Sequence, residues 1–311
     1  MRDDARLEDL GGGIYAWLQP DGSWGLSNAG LVSDGGASLL VDTLYDLPLT
    51  QRMLDAMSDA TPAARKIDTL VNTHSNGDHT YGNQLVGNAR IITSTATADE
   101  WDEVTPEIMA QMVAASGQLG ATGEFIRRAF GPFQFAGLKP TPPTQTFDGQ
   151  LDLRIGELDV ELIEVGPAHT AGDVIIHVPS TRTIFTGDIL FIDGPPIMWE
   201  GPVANWIAAC EKIAALDPEV VVPGHGPLTD TRGALAVRDY LTYVRDEARK
   251  RFDAGLSIRE AAHDITLGDY SAWLDSERIV VNVATLYREF GYDGPPLRPM
   301  EVFELMAELA R

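Results

Sequence analysis

His74, Asn76, Asp78 and His79 sit on one short stretch, TLVNTHSNGDHTYGN at residues 69–83, directly after an apolar run. Neutral imidazole and carboxylate are the side chains that suit zinc, iron or manganese, and alternate residues of a tight turn can converge on one point. Gly77 allows such a loop to fold back on itself and aim its side chains inward. The chain has six histidines, and two more repeat the context: His169 in VGPAHTAGD and His225 in VVVPGHGPLTD, with Asp188 between them in TIFTGDILF. Each follows an apolar, β-branched run and lies among Gly, Pro or Thr, which reads as the end of a strand entering a loop. Candidate ligands therefore gather at the ends of several strands.

In this order the residues resemble the metallo-β-lactamase superfamily. Its signatures are an Asp closing an early strand, a His-x-His-x-Asp-His loop, a second His, a bridging Asp and a final His. They correspond to Asp42 in SLLVDT, the 74–79 loop, His169, Asp188 and His225, a match spanning residues 10 to 230 roughly. The resemblance implies a four-layer αββα sandwich of the α/β class with a metal site between its halves. One metal would be held by His74, His169 and Asp188, and a second by Asp78, His79, His225 and Asp188. The chain departs from the pattern at Asn76, where the family carries a second imidazole. Either the Asn76 amide oxygen coordinates, or a water fills its place, or the first site is empty. The two-His, one-carboxylate set that remains suits iron or manganese as well as zinc; zinc, one or two per chain, is the expectation. Asp78, as a ligand facing the bound water, would orient it or collect its proton. Asp42 would either support the loop from behind the ligands or serve as a simple turn carboxylate.

Composition narrows the class. A chain of 311 residues is long enough for a sizeable core. A net charge of −23 argues against a nucleic-acid partner, because affinity for a phosphate backbone comes mainly from Lys and Arg. With one cysteine, Cys210 in ANWIAACEKIAAL, no intramolecular disulfide or cysteine-rich zinc cluster can form; we read it as a small buried apolar residue. The N-terminus lacks an apolar signal region, and no stretch reaches about 18 uninterrupted apolar residues. A cytoplasmic protein without membrane attachment is expected.

The elements that must position these residues alternate. IYAWLQP, the segment around SNAGLVSD and ASLLVDT read as strands separated by glycine-rich turns. LTQRMLDAMSDAT has helical periodicity, and IDTLVNTH returns to strand, a βαβ passage that delivers the 74–79 loop to a strand end. NARIITST is the next strand. Residues 98–147 read as a largely helical insertion over the site, whose apolar residues, Phe125, Ile126, Phe130, Phe133 and Phe135 among them, serve core packing or line a pocket. LDLRI, DVELIEV, DVIIHVP and RTIFTGD resume the strands, with His177 inside one of them as a structural residue. The helix NWIAACEKIAALD and the strand EVVVPGH complete a catalytic domain over residues 1–233. Residues 234–311 read as a helical appendage that covers the core or supports a homodimer, with Ser257 as a helix cap and His263 on a surface or interface.

No nucleophile-elbow G-x-S-x-G pattern is present. A metal site instead supplies both an activated water and carbonyl polarisation, so hydrolysis of an acyl bond in a thioester, lactone or ester of a small-molecule substrate is the expected reaction. Phe191, Ile197, Met198 and Trp199, in the loop after Asp188, suggest an apolar or aromatic acyl group; Trp206 reads as a core anchor or as part of the same pocket. No Arg–Lys pair stands near the ligand loops to clamp phosphate or sulfate. Some bacterial members of the resembled superfamily release or cyclise aromatic polyketides as thioesterases, which would make the substrate carrier-bound. The alternatives are an iron-dependent oxidoreductase on the same fold or a non-catalytic binding protein.

Overall fold

A computed structural model describes residues 4–310. Its first sheet takes its strands in sequence order: β1 (Arg6–Gly11), β2 (Ile14–Leu18), β3 (Ala29–Asp34), β4 (Ala37–Val41), β5 (Thr69–Val71), β6 (Arg90–Ser94) and β7 (Gln145–Phe147). The first four form an antiparallel meander, and β4 to β7 run parallel. The second sheet holds β8 (Gln150–Ile155), β9 (Leu158–Glu164), β10 (Val174–Val178), β11 (Thr183–Phe185) and β12 (Val220–Val222), antiparallel except for the parallel pair β11 and β12.

Period-two alternation builds the layers. Ile14, Ala16 and Leu18 of β2 and Leu39 and Val41 of β4 face inward, where they meet Val174, Ile176 and Val178 of β10. The opposite face of the first sheet presents Trp17, Leu31, Leu40, Leu70 and Ile91 to Met53 and Met57 of α1 (Leu47–Ala60). The opposite face of the second presents Ile163, Ile175, Ile184 and Val221 to Trp206 and Cys210 of α6 (Val203–Ala215) and Tyr240 of α7 (Thr231–Asp253). The result is the four-layer αββα sandwich. Between its strands lie the short α2 (Gly77–Thr80) and α3 (Thr95–Asp99), then α4 (Pro106–Ala115) and α5 (Gly120–Phe130) of the insertion; α8 (Ile258–Asp264), α9 (Ile279–Glu289) and α10 (Pro299–Leu309) complete the helices.

The insertion and the C-terminal helices both join these layers. Phe125, Phe130, Phe133 and Phe135 are buried, Phe133 and Phe135 packing against Tyr45 and Phe125 and Phe130 against Trp24. Phe303 of α10 closes on Phe125 and Phe130 with ring centroids 6.3 and 6.1 Å apart, while α7, α8 and α9 share one core with α6. Trp206 is fully buried and donates its indole N–H to the Ile189 carbonyl at 2.9 Å. Burial pushes the Cys210 thiol far up, so it is an inert apolar residue. His177 pairs across the strands with Glu161 at 2.9 Å, and His263 lies half-exposed beside Glu308. Ser257 caps α8 with a complete capping box. No helix is long and apolar enough to cross a membrane among the described residues.

Asp46 ties the insertion to the first sheet's helix layer. Its carboxylate caps α1 by accepting from Leu49 N at 2.9 Å and also accepts from Gln134 N at 3.0 Å. Asp46→Ala loses a cap and strands a second N–H, so it should lower unfolding free energy by about 2–3 kcal/mol. A denaturant midpoint at unchanged slope reads this loss; an unshifted midpoint would contradict it.

Candidate metal centre

Strand direction assembles the site. Asp42 follows β4, the 72–79 loop follows β5, Asp188 follows β11 and His225 follows β12. Because β4 and β5 are parallel, and β11 and β12 are parallel, each pair ends on one edge. His169 precedes β10, which runs antiparallel to β11, so it arrives at that same edge. Asp42 itself takes a left-handed backbone, φ 61°, which aspartate tolerates better than most residues.

Two donor clusters result, one of His74, His169 and Asp188 and one of Asp78, His79 and His225, the candidate ligand atoms of each within 4.8 Å of one another. Asp188 lies between them: Oδ2 is 3.7 Å from His74 Nε2, 3.4 Å from His169 Nε2 and 3.5 Å from His225 Nε2, and Oδ1 is 3.0 Å from His79 Nε2. Asp78 Oδ2 stands 3.3 Å from His225 Nε2 and, at 15 % side-chain exposure, is the least buried of the six. His74 Nε2, His79 Nε2 and Asp188 Oδ1 are fully buried without a hydrogen-bond partner. Even the 3.0 Å approach of His79 to Asp188 lacks hydrogen-bond alignment. Buried polar atoms are rarely left unpaired, and lone pairs converging without bonding one another suit a cation.

Every imidazole has its ring orientation and tautomer set from behind. His169 Nδ1 faces the Ile197 carbonyl at 2.7 Å and His225 Nδ1 the Gly22 carbonyl at 3.0 Å. Carbonyls only accept, so both Nδ1 atoms are protonated and Nε2 is the nitrogen that each ring turns to the cluster. Asp42 performs this for the other two. Its Oδ1 accepts from Thr73 N at 2.8 Å, and its Oδ2 accepts from Thr73 Oγ1 at 2.8 Å and His79 Nδ1 at 2.9 Å. Having spent its proton on Asp42, the Thr73 hydroxyl can only accept from His74 Nδ1, 2.9 Å away.

The carboxylates raise the pKa of two of the four histidines. Burial alone would lower the His79 pKa, but the Asp188, Asp42 and Asp78 carboxylates outweigh it and hold the pKa well above the ordinary value. Burial likewise opposes charge on His225, yet Asp188 and Asp78 raise its pKa to about 9. Burial holds His74 and His169 below the ordinary value. Asp188 stays ionised: burial pushes its pKa up, and the surrounding histidines, His225 first, pull it well below the carboxylate range. At neutral pH a cation entering the second cluster must therefore displace the extra protons of His79 and His225. Binding should release protons and tighten as pH rises towards 9. Calorimetry in buffers of different ionisation enthalpy checks this; a buffer-independent heat at neutral pH would contradict it.

The remaining candidate residues divide by exposure. Asn76 Oδ1 lies 3.2 Å from His169 Nε2, beside the first cluster. Phe191, Ile197 and Met198 are buried in the core at 2, 3 and 1 % exposure, while Trp199 presents 37 % to solvent. Phe191 lies flat on the His225 imidazole, centroids 4.9 Å apart and planes within 5°. Sequence reasoning missed Thr73 and Glu100; Glu100 bridges two ligand loops, accepting from Ala171 N at 3.3 Å and Ser75 Oγ at 3.5 Å. Thr73, adjoining His74, carried a local signal, whereas Glu100 carried none.

The chain belongs to the metallo-beta-lactamase superfamily, whose family model matches residues 22–225. It is 25 % identical over 194 residues to a 2,4-dinitroanisole O-demethylase subunit alpha of Nocardioides sp., covering 60 % of this chain and 48 % of that one. It is 25 % identical over 144 residues to a linear primary-alkylsulfatase of Pseudomonas sp., covering 42 % and 26 %. A hydroxyacylglutathione hydrolase of Fuscovulum blasticum is 39 % identical over 85 residues, 27 % of this chain and 33 % of the relative. The chain thus spans half or less of the length of these relatives. Among solved structures, the stereoselective inverting sec-alkylsulfatase Pisa1 from Pseudomonas sp. aligns with a TM-score of 0.69 at 17 % identity over 94 % of this chain and 51 % of its own. A metallo-beta-lactamase from Pontibacter korlensis aligns at 0.56 and 18 % identity over 77 % and 99 %. At these identities the structural likeness speaks for the fold.

Proposed function

We propose that the protein is a metal-dependent hydrolase that cleaves an acyl bond, in a thioester, lactone or ester, of a small and in part apolar substrate. The observation that carries this reading is the pair of three-residue donor clusters with Asp188 standing between them. His74, His169 and Asp188 would hold one ion and Asp78, His79 and His225 another, with zinc favoured by the imidazole-rich set. A bound divalent ion would acidify water and polarise the carbonyl. Asp78, the least buried ligand, would orient the attacking water and accept its proton, while Asp188 balances charge between the clusters. Trp199 offers the exposed apolar contact for the acyl group, and a carrier-bound aromatic acyl chain fits the same reading. In the reaction, water oxygen adds to the acyl carbon, the bond to the thiol or alcohol breaks, and the leaving group takes a proton.

A second reading has its own support: relatives named as an alkylsulfatase and an O-demethylase suggest cleavage at a sulfate ester or aryl ether instead. One panel separates the two. Zinc-loaded protein should turn over thioesters, lactones or carboxylic esters, and lose that activity on chelation. Consumption of an alkyl sulfate or a nitro-substituted aryl methyl ether, with no acyl substrate above background, would replace the first reading with the second.

Asn76→His bears on the metal count. Imidazole nitrogen is a better zinc donor than an amide oxygen, so the variant should hold zinc at the first cluster about tenfold or more tightly. Elemental analysis after chelator challenge measures it; unchanged retention would mean that position 76 takes no part in binding.

A further inference from the structure

We infer that the turn at residues 275–278, in the C-terminal helical segment beyond the family match, is a positioning device for His225, with Arg278 as its central residue. This rests on reading His225 as part of the second donor cluster.

Two contacts orient the His225 ring: its face lies on Phe191, and its Nδ1 donates to the Gly22 carbonyl. Both contacts are held by the same turn. Arg278 is 2 % exposed, and its guanidinium carbon sits 4.7 Å from the Trp24 ring centroid and 5.1 Å from that of Phe191. Trp24, the Arg278 guanidinium, Phe191 and the His225 ring thus form a continuous series of contacts ending at the candidate ligand. Beside this series, Trp24 Nε1 donates to Glu277 Oε1 at 2.9 Å and Ser23 Oγ donates to Asp275 Oδ1 at 3.0 Å. These two bonds pin the 22–24 segment that carries the Gly22 carbonyl. Gly22 also approaches closely: a Cβ there would stand 2.3 Å from Gly226 N, so this loop has no slack against the His225 turn.

Arg278 completes the arrangement by donating to the Pro195 carbonyl at 3.2 Å and to Asp275 Oδ2 at 2.9 Å. A buried cation needs a carboxylate partner and compensating contacts. Here Asp275 supplies the first and two aromatic faces supply the second. Its Nε stays without a hydrogen-bond partner, so stability alone accounts poorly for arginine at this position. The planar guanidinium fits between two rings in a way that lysine cannot reproduce. Without it, Phe191 would be free to tilt, and the His225 ring with it.

The experiment reads the ring itself before it reads metal. In metal-free protein, the His225 Cε1–Hε1 resonance, identified with His225→Asn, should move in Arg278→Met, while the His74 resonance stays and that of His169, whose ring lies 5.8 Å from Phe191 without stacking on it, moves by less. Arg278→Lys, which keeps the charge and loses the flat contact, should move it in the same direction by less. Trp24→Phe, which removes the donor to Glu277 and narrows the aromatic face against Arg278, gives a milder version should Arg278→Met fail to fold. In cobalt titrations the variants should lose affinity at the second cluster by about 10–100-fold, the range for residues that support a ligand from behind, with a smaller loss at the first cluster, whose His169 is oriented by the Ile197 carbonyl and meets Phe191 without stacking on it. An unmoved His225 resonance in the folded variants, or equal loss at both clusters, would overturn the positioning role. A wild-type chain that binds no divalent ion would instead overturn the proposed function and leave the resonance test standing.

Discussion

Asp188→Asn should strip metal from both clusters at once and lower turnover by about 10⁴-fold or more, the order seen when one member of a cooperative catalytic unit is removed. The expectation comes from geometry. One carboxylate places Oδ2 within 3.4–3.7 Å of three histidines and Oδ1 3.0 Å from a fourth, so no other residue can substitute for its bridging charge. The amide has the same shape, but it removes the charge and replaces one acceptor oxygen with an NH₂ donor. His74→Ala is the matched comparison, because His74 belongs to the first cluster alone; it should reduce the metal content while leaving the second cluster filled. Elemental analysis and turnover on the two variants decide the matter. Full metal content in Asp188→Asn would show that the clusters bind independently of the shared oxygens.

Asp42→Asn should be nearly as damaging, although Asp42 touches neither cluster's open side. The backbone N–H of Thr73 must donate, so the amide oxygen is locked into the place of Oδ1. The NH₂ group then occupies the place of Oδ2 and must donate to Thr73 Oγ1 and His79 Nδ1. His79 is driven to the tautomer protonated on Nε2. The Thr73 hydroxyl, now an acceptor from the introduced amide, turns its proton to His74 Nδ1, and His74 follows. One substitution therefore disables a ligating nitrogen in each cluster. Tautomer reversal of a catalytic histidine can cost about 10⁴ in kcat, while loss of such a supporting contact weakens metal binding about 10–100-fold. Asp42→Ala differs in kind: it leaves a buried N–H and a buried imidazole without partners, and should cost about 3–5 kcal/mol of stability. A thermal melt beside a metal titration separates the two. Wild-type metal affinity in Asp42→Asn would show that the tautomers are not set through Asp42.

The α/β class was legible because its signal is local, whereas the four layers were an implication of the family resemblance. Ile14, Ala16 and Leu18 alternate with Tyr15 and Trp17, and runs such as VIIHV and VVV stop at glycine or proline; such patterns are printed residue by residue along the chain. The His and Asp residues were visible for the same reason, since each sits where a strand pattern ends. The loop at 191–199 was harder to read. Its apolar residues suggested a pocket, but an apolar side chain in a loop looks the same whether it faces substrate or core. Burial places Phe191, Ile197 and Met198 in the core and Trp199 at the surface.

By itself, then, the sequence determined which chemical groups the chain can offer and in what order they meet the strand ends, because donor type and strand period are properties of single residues and near neighbours. Only the tertiary structure decided how each group is held. Asn28 bonds the Pro223 and Gly226 carbonyls, Gly22 accepts from His225, and Arg278 packs between Trp24 and Phe191, contacts that join residues some two hundred positions or more apart for Asn28, Gly22 and Trp24. The physical reason is that sheet register and the docking of two layers set these distances. No local pattern encodes which carbonyl will stand about 3 Å behind an imidazole, and that carbonyl decides which nitrogen is left to bind.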